Sequence, residues 1–309
     1  MRYEALSRGD YAPIEEYLGF ELHRAAADVN PEAHGTRPLE ALSESVMEEL
    51  CAELGGVPER LGYAPPAPPA PAAQPAMARG PTPREKCVIL VPAMNAIEPR
   101  CDEAMRGLEA SGYTVRRLYG RSQIDYARSQ MASDALADGF EATMWIDADM
   151  VFEPGAVDRL REHALPLVCG IYAKRGPRSL SCRALPGTER IVFGQQGGLI
   201  EIMYAATGFL FVHRQVYRDM QHQLGLPWCN QRLGRPMMAP FFLPLIQCDD
   251  GGHWYLSEDY SFCERARQCG YRVWADTTIR LGHIGQYLYQ WEDAGSSPPR
   301  YDSYLFDLQ

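Results

Sequence analysis

The 309-residue sequence lacks the features that mark several protein classes. It has no apolar run of about 18 residues, the length that a membrane-spanning helix needs, and its first twenty residues lack the apolar stretch of a signal peptide. No cluster of Lys and Arg suggests a nucleic-acid-binding surface, and the formal net charge is −10. These absences predict a cytoplasmic protein with no transmembrane segment and no nucleic-acid partner.

Paired cysteines are also missing. The chain has nine cysteines, an odd number, and none of them forms a CxxC pair. A disulfide framework and a zinc ribbon both need such regular spacing, so neither is indicated. We expect reduced thiols that are mostly buried as small apolar side chains.

Proline is concentrated in one segment, residues 64–83, where it fills eight of twenty positions. Such a composition gives an extended spacer without a packed core. It separates residues 1–63, which carry apolar residues at helical spacing and an excess of acids, from a larger domain over residues 84–309. The N-terminal helical segment could bind a partner or acceptor, link two subunits in a homo-oligomer, or cover a face of the catalytic domain.

After the spacer, apolar strand patterns alternate with amphipathic helices. The strand candidates KCVILVPAM, TVRRLY, ATMWIDADM and LPLVCGIYA are separated by helical stretches of suitable length. This alternation predicts right-handed βαβ units, and therefore an α/β fold with a mostly parallel, Rossmann-like central sheet. Ligands of such sheets bind at the carboxyl ends of the strands.

One strand candidate ends in two acids, Asp147 and Asp149, separated by one alanine. Two carboxylates so placed can reach one ligand, and Mg²⁺ or Mn²⁺ accepts such oxygen ligands together with substrate phosphates. The alternative is a solvated strand end whose acids cap the next helix.

Two further groups carry chemistry. Glu258 and Asp259 open a helix, where acids favour the helix dipole, but a carboxylate there could also act as a general base. His283 lies between glycines in LGHIG, either as a structural histidine or as a metal ligand beside the two acids.

From about residue 86 to residue 287, the order of these motifs resembles that of GT-A glycosyltransferases, in particular a large inverting family of bacterial sugar transferases. The matching elements are VPAMNA, DYARSQMA, the Asp147–Asp149 pair, ATGFLFVHRQVY, the Glu258–Asp259 pair and the Gly282–His283 pair. Ser129 departs from the pattern, because related sequences often have Asn after the arginine.

The resemblance implies roles for individual residues. Pro92, Ala93 and Asn95 would border the nucleoside, with Arg128 and Asp125 nearby. Asp147 would face the ribose or the metal, whereas Asp149 and His283 would ligate the metal. On the grounds of charge alone, Lys174 or Arg175 could meet the donor diphosphate, unless both are simply solvated.

Three tryptophans are candidates for stacking on a sugar. Trp145 and Trp274 lie within strand candidates and are expected in the core, whereas Trp254 is the better candidate for the acceptor site. The segment from Gln221 to Gly252 is long and apolar for a connection, so we expect it to determine acceptor specificity.

The sequence therefore predicts a metal-dependent glycosyltransferase that uses Mn²⁺ or Mg²⁺ and a nucleoside-diphosphate sugar, first of all a UDP-sugar. Its acceptor is a glycan, a small molecule, a protein or a lipid. Asp259 is the expected base if the reaction inverts the anomeric centre, and His283 leaves a retaining reaction open. The alternatives are a binding module without catalysis and a nucleotidyltransferase, although VPAMNAIEPR has no glycine for a phosphate loop.

Overall fold

The computed structural model describes residues 80–295, except 177–178, 233, 235 and 250–251. The helical segment predicted over residues 1–63 and residues 64–79 of the predicted spacer lie outside this range. The end of the spacer is described and packs against the domain, because the carbonyl of Thr82 accepts a hydrogen bond of 2.8 Å from Arg161 Nη1.

The core of the domain is an eight-stranded sheet with helices between its strands. In chain order its strands are β1 (Cys87–Ala93), β2 (Thr114–Tyr119), β3 (Ala142–Ile146), β5 (Leu167–Gly170), β6 (Cys182–Ala184), β7 (Leu199–Ala205), β8 (Phe209–His213) and β11 (Val273–Asp276). The helices are α1 (Pro99–Ala110), α2 (Ile124–Ala137), α3 (Gly155–Glu162), α4 (Arg214–Gln223) and α5 (Glu258–Gln268).

The spatial order of the strands is β2-β1-β3-β8-β5-β11-β7-β6. β2, β1 and β3 are parallel to one another, and β5 is parallel to β11. β8 is antiparallel to both β3 and β5, and β7 is antiparallel to both β11 and β6. All strands except β7 and β8 therefore run in the same direction, and the predicted α/β fold with a mostly parallel sheet is confirmed.

The sheet is buried on both faces, which explains the continuous apolar run of β1. All seven residues of β1 are buried. Val88 and Leu90 join one core cluster, whereas Cys87, Ile89 and Val91 join the other. Successive side chains of a strand point to opposite faces, so a central strand covered by helices on both sides must be apolar throughout.

A small three-stranded sheet extends the domain beyond the end of β3. It is formed by β4 (Met150–Val151), β12 (Gly282–Ile284) and β13 (Leu288–Tyr289) in the order β13-β12-β4. Its strands are antiparallel, with His283 paired to Met150. This pairing brings a histidine that is distant in sequence next to the acids that follow β3.

The long segment before α5 is partly core and partly hairpin. β9 (Leu245–Asp249) and β10 (Gly252–Leu256) form an antiparallel pair that leads into α5. Phe241 and Phe242 are fully buried, so this segment is not a surface loop along its whole length. Trp145 is buried and Trp274 packs partly buried against the core, as predicted for both, whereas Trp254 on β10 is 45% exposed.

Within the described part of the chain, no helix combines the length and the apolar character that crossing a membrane requires. The cysteines in this part are free thiols, and most are buried. Burial raises the pKa of the Cys87 thiol to about 12, so this side chain is neutral and packs as an apolar group.

We expect Tyr217→Phe to destabilise the fold by about 1–3 kcal/mol, because a buried donor loses its partner. Tyr217 Oη accepts a hydrogen bond of 2.8 Å from Trp145 Nε1 and lies 2.7 Å from Thr143 Oγ1, with all three side chains buried. Urea unfolding measures the effect, and Tyr255→Phe, which removes the hydroxyl of a tyrosine that is 73% exposed, is the control. Equal stability of the two variants would contradict the prediction.

Candidate functional site

The carboxyl ends of β1 and β3 open into a cavity of about 740 Å³. It is lined by Pro92, Ala93, Met94, Asn95, Ala96, Glu98, Ile124, Arg128, Asp147, Ala148, Asp149, Arg175, Glu258, His283, Ile284 and Gly285. These residues come from the end of β1, from the segments after β1, β3 and β5, from the N-terminal parts of α2 and α5, and from the small sheet. The cavity thus lies where ligands of α/β sheets bind.

Most of the residues that the sequence singled out line this one cavity. They are Pro92, Ala93, Asn95, Arg128, Asp147, Asp149, Glu258 and His283, together with Arg175 from the pair of cationic alternatives. Asp125, Lys174 and Asp259 do not line it. The structure therefore gathers segments that are up to about 190 residues apart in sequence into one site.

Asp147 is held rigidly at the end of β3. Its carboxylate Oδ1 accepts a hydrogen bond of 2.7 Å from Arg128 Nη2, and its backbone amide donates to the carbonyl of Gly208 at 3.0 Å. Neither Asp147 nor Asp149 caps α3, whose N-terminus has no side-chain cap. The alternative interpretation of the two acids as helix caps is therefore wrong.

Gly208 allows Asp147 and Tyr172 to approach the backbone of the strand that follows. A Cβ atom at position 208 would overlap the hydroxyl of Tyr172 and would lie 2.9 Å from Asp147 Oδ2. The Gly208 amide donates to Tyr172 Oη at 3.2 Å. Neither residue stands out as a site residue in the sequence, although a glycine directly before an apolar strand is a signal of close backbone approach.

Arg128 is the charged centre of the site. Its side chain is 4% exposed and lies between Asp147 and Glu258, with its Nε atom 3.7 Å from Glu258 Oε1. Burial acts to lower the pKa of the guanidinium, but the nearby carboxylates of Asp147 and Glu258 outweigh burial and raise it. Arg128 is therefore a permanent buried cation.

Ser129 follows Arg128 at the position where related sequences often have Asn. Its hydroxyl accepts a hydrogen bond of 3.1 Å from the amide of Phe242, and Ser133 accepts one of 3.0 Å from the amide of Ala239. Both serines are buried. Ser129 therefore anchors the segment before β9 to α2 and does not line the cavity.

Asp149, Arg175 and His283 form a second charged group in the cavity. Arg175 Nη1 is 2.8 Å from Asp149 Oδ2, and His283 Nε2 is 3.5 Å from Asp149 Oδ1. Burial alone would raise the pKa of Asp149, but His283 and Arg175 lower it below its usual value. Asp149 is therefore an ionised carboxylate over the physiological pH range.

The orientation of His283 suits a cation. Its Nδ1 is 3.0 Å from the carbonyl of Ala173, and because a carbonyl can only accept, Nδ1 carries the proton. In the neutral tautomer the lone pair of Nε2 then faces the carboxylate of Asp149. Two acceptors face each other across this gap, an arrangement that a proton or a metal ion between them would stabilise.

These two side chains fit a divalent metal as an incomplete ligand set. Carboxylate oxygen and imidazole nitrogen are both ligands of Mn²⁺, and Ala173 supplies the backbone partner that orients the histidine. Among residues 80–295 with the gaps given above, no three His, Cys, Asp or Glu side chains are arranged as a complete metal site. Remaining ligands would have to come from water and from a substrate such as a phosphate.

The two acids at the start of α5 point in different directions. Glu258 lines the cavity, and burial together with the negative charges of Asp259 and Asp147 raises its pKa against the opposing effect of Arg128. Asp259 instead accepts hydrogen bonds from the hydroxyl of Ser257 and, at 2.7 Å, from the amide of Tyr260. Its carboxylate is thus engaged in hydrogen bonds within the first turn of α5.

Two other predicted residues lie away from the cavity. The Lys174 ammonium is 5.9 Å from the centre of the Tyr260 ring, a cation–π contact at the side of α5. Asp125 is in the first turn of α2, where its charge favours the helix dipole. Of the two cationic alternatives, Lys174 and Arg175, the cavity contains Arg175.

Comparisons with known proteins give only distant likenesses. No protein-family model and no curated protein matches the sequence. Among solved structures, A197 from STIV matches with a TM-score of 0.43 and 16% identity. The match covers 71% of this chain and 99% of the A197 chain. GalNAc-T7 with UDP, GalNAc and Mn²⁺ has a TM-score of 0.36 and 13% identity, covering 71% of this chain and 46% of its own.

A third structure, a glycosyltransferase involved in the glycosylation of the major capsid of PBCV-1, has a TM-score of 0.26 and 11% identity. That match covers 62% of this chain and 94% of the other. Because all three TM-scores are below 0.5, the function has to be argued from the residues of this chain.

We expect Gly208→Ala to disturb the cavity, because the added methyl group displaces Tyr172 or Asp147. Overpacking of this kind costs about 1–3 kcal/mol of stability. The measurement is thermal unfolding, and the unfolding temperature should fall. Gly155→Ala is the control, since a Cβ at position 155 meets no atom within 4 Å. An unfolding temperature of Gly208→Ala as high as that of the control would contradict this account.

Proposed function

We propose that the chain is a GT-A glycosyltransferase that transfers a sugar from a nucleoside diphosphate to an acceptor. The observation that carries the proposal is the composition of the cavity. The cavity combines the PAMN segment, which would border a nucleoside, with Asp149, His283 and Arg175, which would meet a diphosphate, and with Glu258, which would meet an acceptor. A cavity of about 740 Å³ is within the range of small-molecule sites.

The charges suit a diphosphate that leaves as an anion. The Arg175 guanidinium is half exposed at 52%, so it can exchange its contact with Asp149 for a phosphate oxygen. A divalent ion held by Asp149 and His283 would add positive charge beside the same oxygens. A phosphate would also complete the incomplete ligand set of that ion. In this proposal Mn²⁺ or Mg²⁺ is the metal and a UDP-sugar is the first donor to test.

In the proposed reaction an acceptor oxygen attacks the anomeric carbon while the bond from that carbon to the diphosphate breaks. The electron pair of the broken bond leaves with the diphosphate. Glu258 takes the proton of the acceptor hydroxyl, because it lines the cavity and its raised pKa makes it a stronger base than an ordinary glutamate. Asp259 is not proposed for this role, since its carboxylate is engaged within α5.

Calorimetric titration with a panel of nucleoside diphosphates, with Mn²⁺ and with a chelator, tests the donor site. We expect tight binding of one nucleotide that needs the metal and is lost in Asp149→Ala. Glu103→Ala, which removes an exposed acid on α1, should bind like the unmodified protein. Binding that does not depend on metal, or no binding to any nucleotide, would favour a non-catalytic module.

The pH dependence of turnover separates the acids of the site. Since a general base acts only when deprotonated, nucleoside-diphosphate release at saturating donor should rise with pH through the pKa of Glu258, which lies above the usual glutamate value. Asp149, with a lowered pKa, titrates below this range. Glu258→Gln should abolish the rise and lower turnover by a factor of about 10² or more.

If nucleoside-diphosphate release by Glu258→Gln still rises with pH over the same range, the base is another residue. Asp259→Asn is the matched comparison: it removes the neighbouring charge without removing the cavity carboxylate. We expect this variant to keep the pH-dependent rise, with its midpoint moved to lower pH because Asp259 contributes to the raised pKa of Glu258.

A further inference from the structure

Arg128 contacts two acids of the cavity: Asp147, which the resemblance assigns to the ribose or the metal of the donor, and Glu258, the proposed base. Its Nη2 donates to Asp147 Oδ1 at 2.7 Å, and its Nε is 3.7 Å from Glu258 Oε1. The guanidinium carbon also lies 5.7 Å from the centre of the buried Trp145 ring. The end of β3, through Trp145 and Asp147, and the start of α5, through Glu258, therefore surround the cation, although these two elements are far apart in sequence.

The hydrogen bonding of this arginine is incomplete. Among the described residues, Arg128 Nε and Nη1 are buried without a hydrogen-bond partner. Buried donors without partners are rare in folded proteins because burial removes the water that would otherwise bind them. The carboxylate of Glu258 is the nearest charged acceptor, and it needs to move by less than 1 Å to reach hydrogen-bond distance from Nε.

We propose that Arg128 is a positioning residue that couples the donor-side acid Asp147 to the proton-accepting acid Glu258. This inference rests on the proposed function and goes further, because it makes the acceptor half of the site depend on the donor half. A ligand that changes the contact between Asp147 and Arg128 alters the attraction that Arg128 exerts on Glu258. Glu258 would then be drawn to the cation or released toward the acceptor.

The charges around Glu258 leave Arg128 as its balancing cation. Asp259 on the same helix and Asp147 from the end of β3 both disfavour the ionised carboxylate, as does burial, whereas Arg128 favours it. Asp149 contacts Arg175 at 2.8 Å and lies 3.5 Å from His283 Nε2, so the second arginine of the cavity already has an acidic partner. Loss of Arg128 would thus leave Glu258 both misplaced and protonated.

A double-mutant cycle tests the coupling. The variants are Arg128→Met, Glu258→Gln and the combination of the two, with Arg106→Met, an exposed arginine on α1, as the control. UDP with Mn²⁺ is the probe for binding. Turnover is followed as UDP release when water is the acceptor, with UDP-glucose, UDP-galactose and UDP-N-acetylglucosamine as donors. UDP binding reports on the donor site. Turnover at saturating donor reports on the step that needs the base, because differences in affinity for the donor no longer affect it.

We expect Arg128→Met to lower UDP release at saturating donor by about tenfold or more, but by less than about threefold when Glu258 is already glutamine. Arg128→Lys keeps the charge but cannot bridge both acids, so it should restore most of the stability and little of the turnover. If Arg128→Met lowers turnover by the same factor in both backgrounds, the arginine acts structurally and the proposal is overturned.

A second cycle needs no turnover and distinguishes this proposal from the proposed function. Urea unfolding of the unmodified protein, of Arg128→Met, of Glu258→Gln and of the double variant gives the coupling between Arg128 and Glu258 in the folded protein. No UDP release by the unmodified chain with any donor would count against the glycosyltransferase, whereas the unfolding cycle would still measure the contact. Additive effects in unfolding would show that the two side chains are independent and would also overturn the coupling.

Discussion

The buried contact between Arg128 and Asp147 is the interaction on which the rest of the site depends. An uncompensated arginine could not occupy this position, because desolvating a charge without partners costs several kcal/mol. Asp147 supplies one compensating charge from the end of β3, and Glu258 supplies another from the start of α5. One helix, one strand end and one helix start are thereby fixed relative to each other, and these are the elements that surround the cavity.

Two separate electrostatic groups result from this arrangement. The first is Arg128 with Asp147 and Glu258, and the second is Asp149 with His283 and Arg175. The arginine of the first group is almost fully buried, at 4% side-chain exposure. The arginine of the second group is half exposed, so its contact with Asp149 can open. The group around Arg128 is therefore suited to holding its side chains in place, and the group around Arg175 is suited to exchanging one of its contacts for a ligand.

The sequence predicts the strands and the residues at their ends well, because buried strands leave continuous apolar runs and the polar residues after them stand out. KCVILVPAM and ATMWIDADM coincide closely with β1 and β3. It does not predict the reversed direction of β8 or the small sheet that carries His283, since both depend on pairing between distant segments. The N-terminal helices stay a prediction because they lie outside the described residues.

The choice between neighbouring residues also could not be made from the sequence. Adjacent positions on a helix point about 100° apart, so only one of Glu258 and Asp259 can face the cavity, and the rotation of α5 is set by its packing. The choice between Lys174 and Arg175 depends similarly on how their loop is folded. Charge and spacing identify such pairs, whereas tertiary contacts decide which member lines the site.

The direction of β8 has a consequence for how tightly the site is built into the core. β8 is antiparallel to β3, and their pairing ends with Phe209 opposite Ile146, so Gly208 comes directly opposite Asp147. A slip of one residue between these strands would place Thr207 or Phe209 there, and either would bring a side chain against the space of Tyr172 and Asp147. The register between β3 and β8 thus also determines where the Asp147 carboxylate lies. Substitutions that shift this register in the core would therefore also change the cavity.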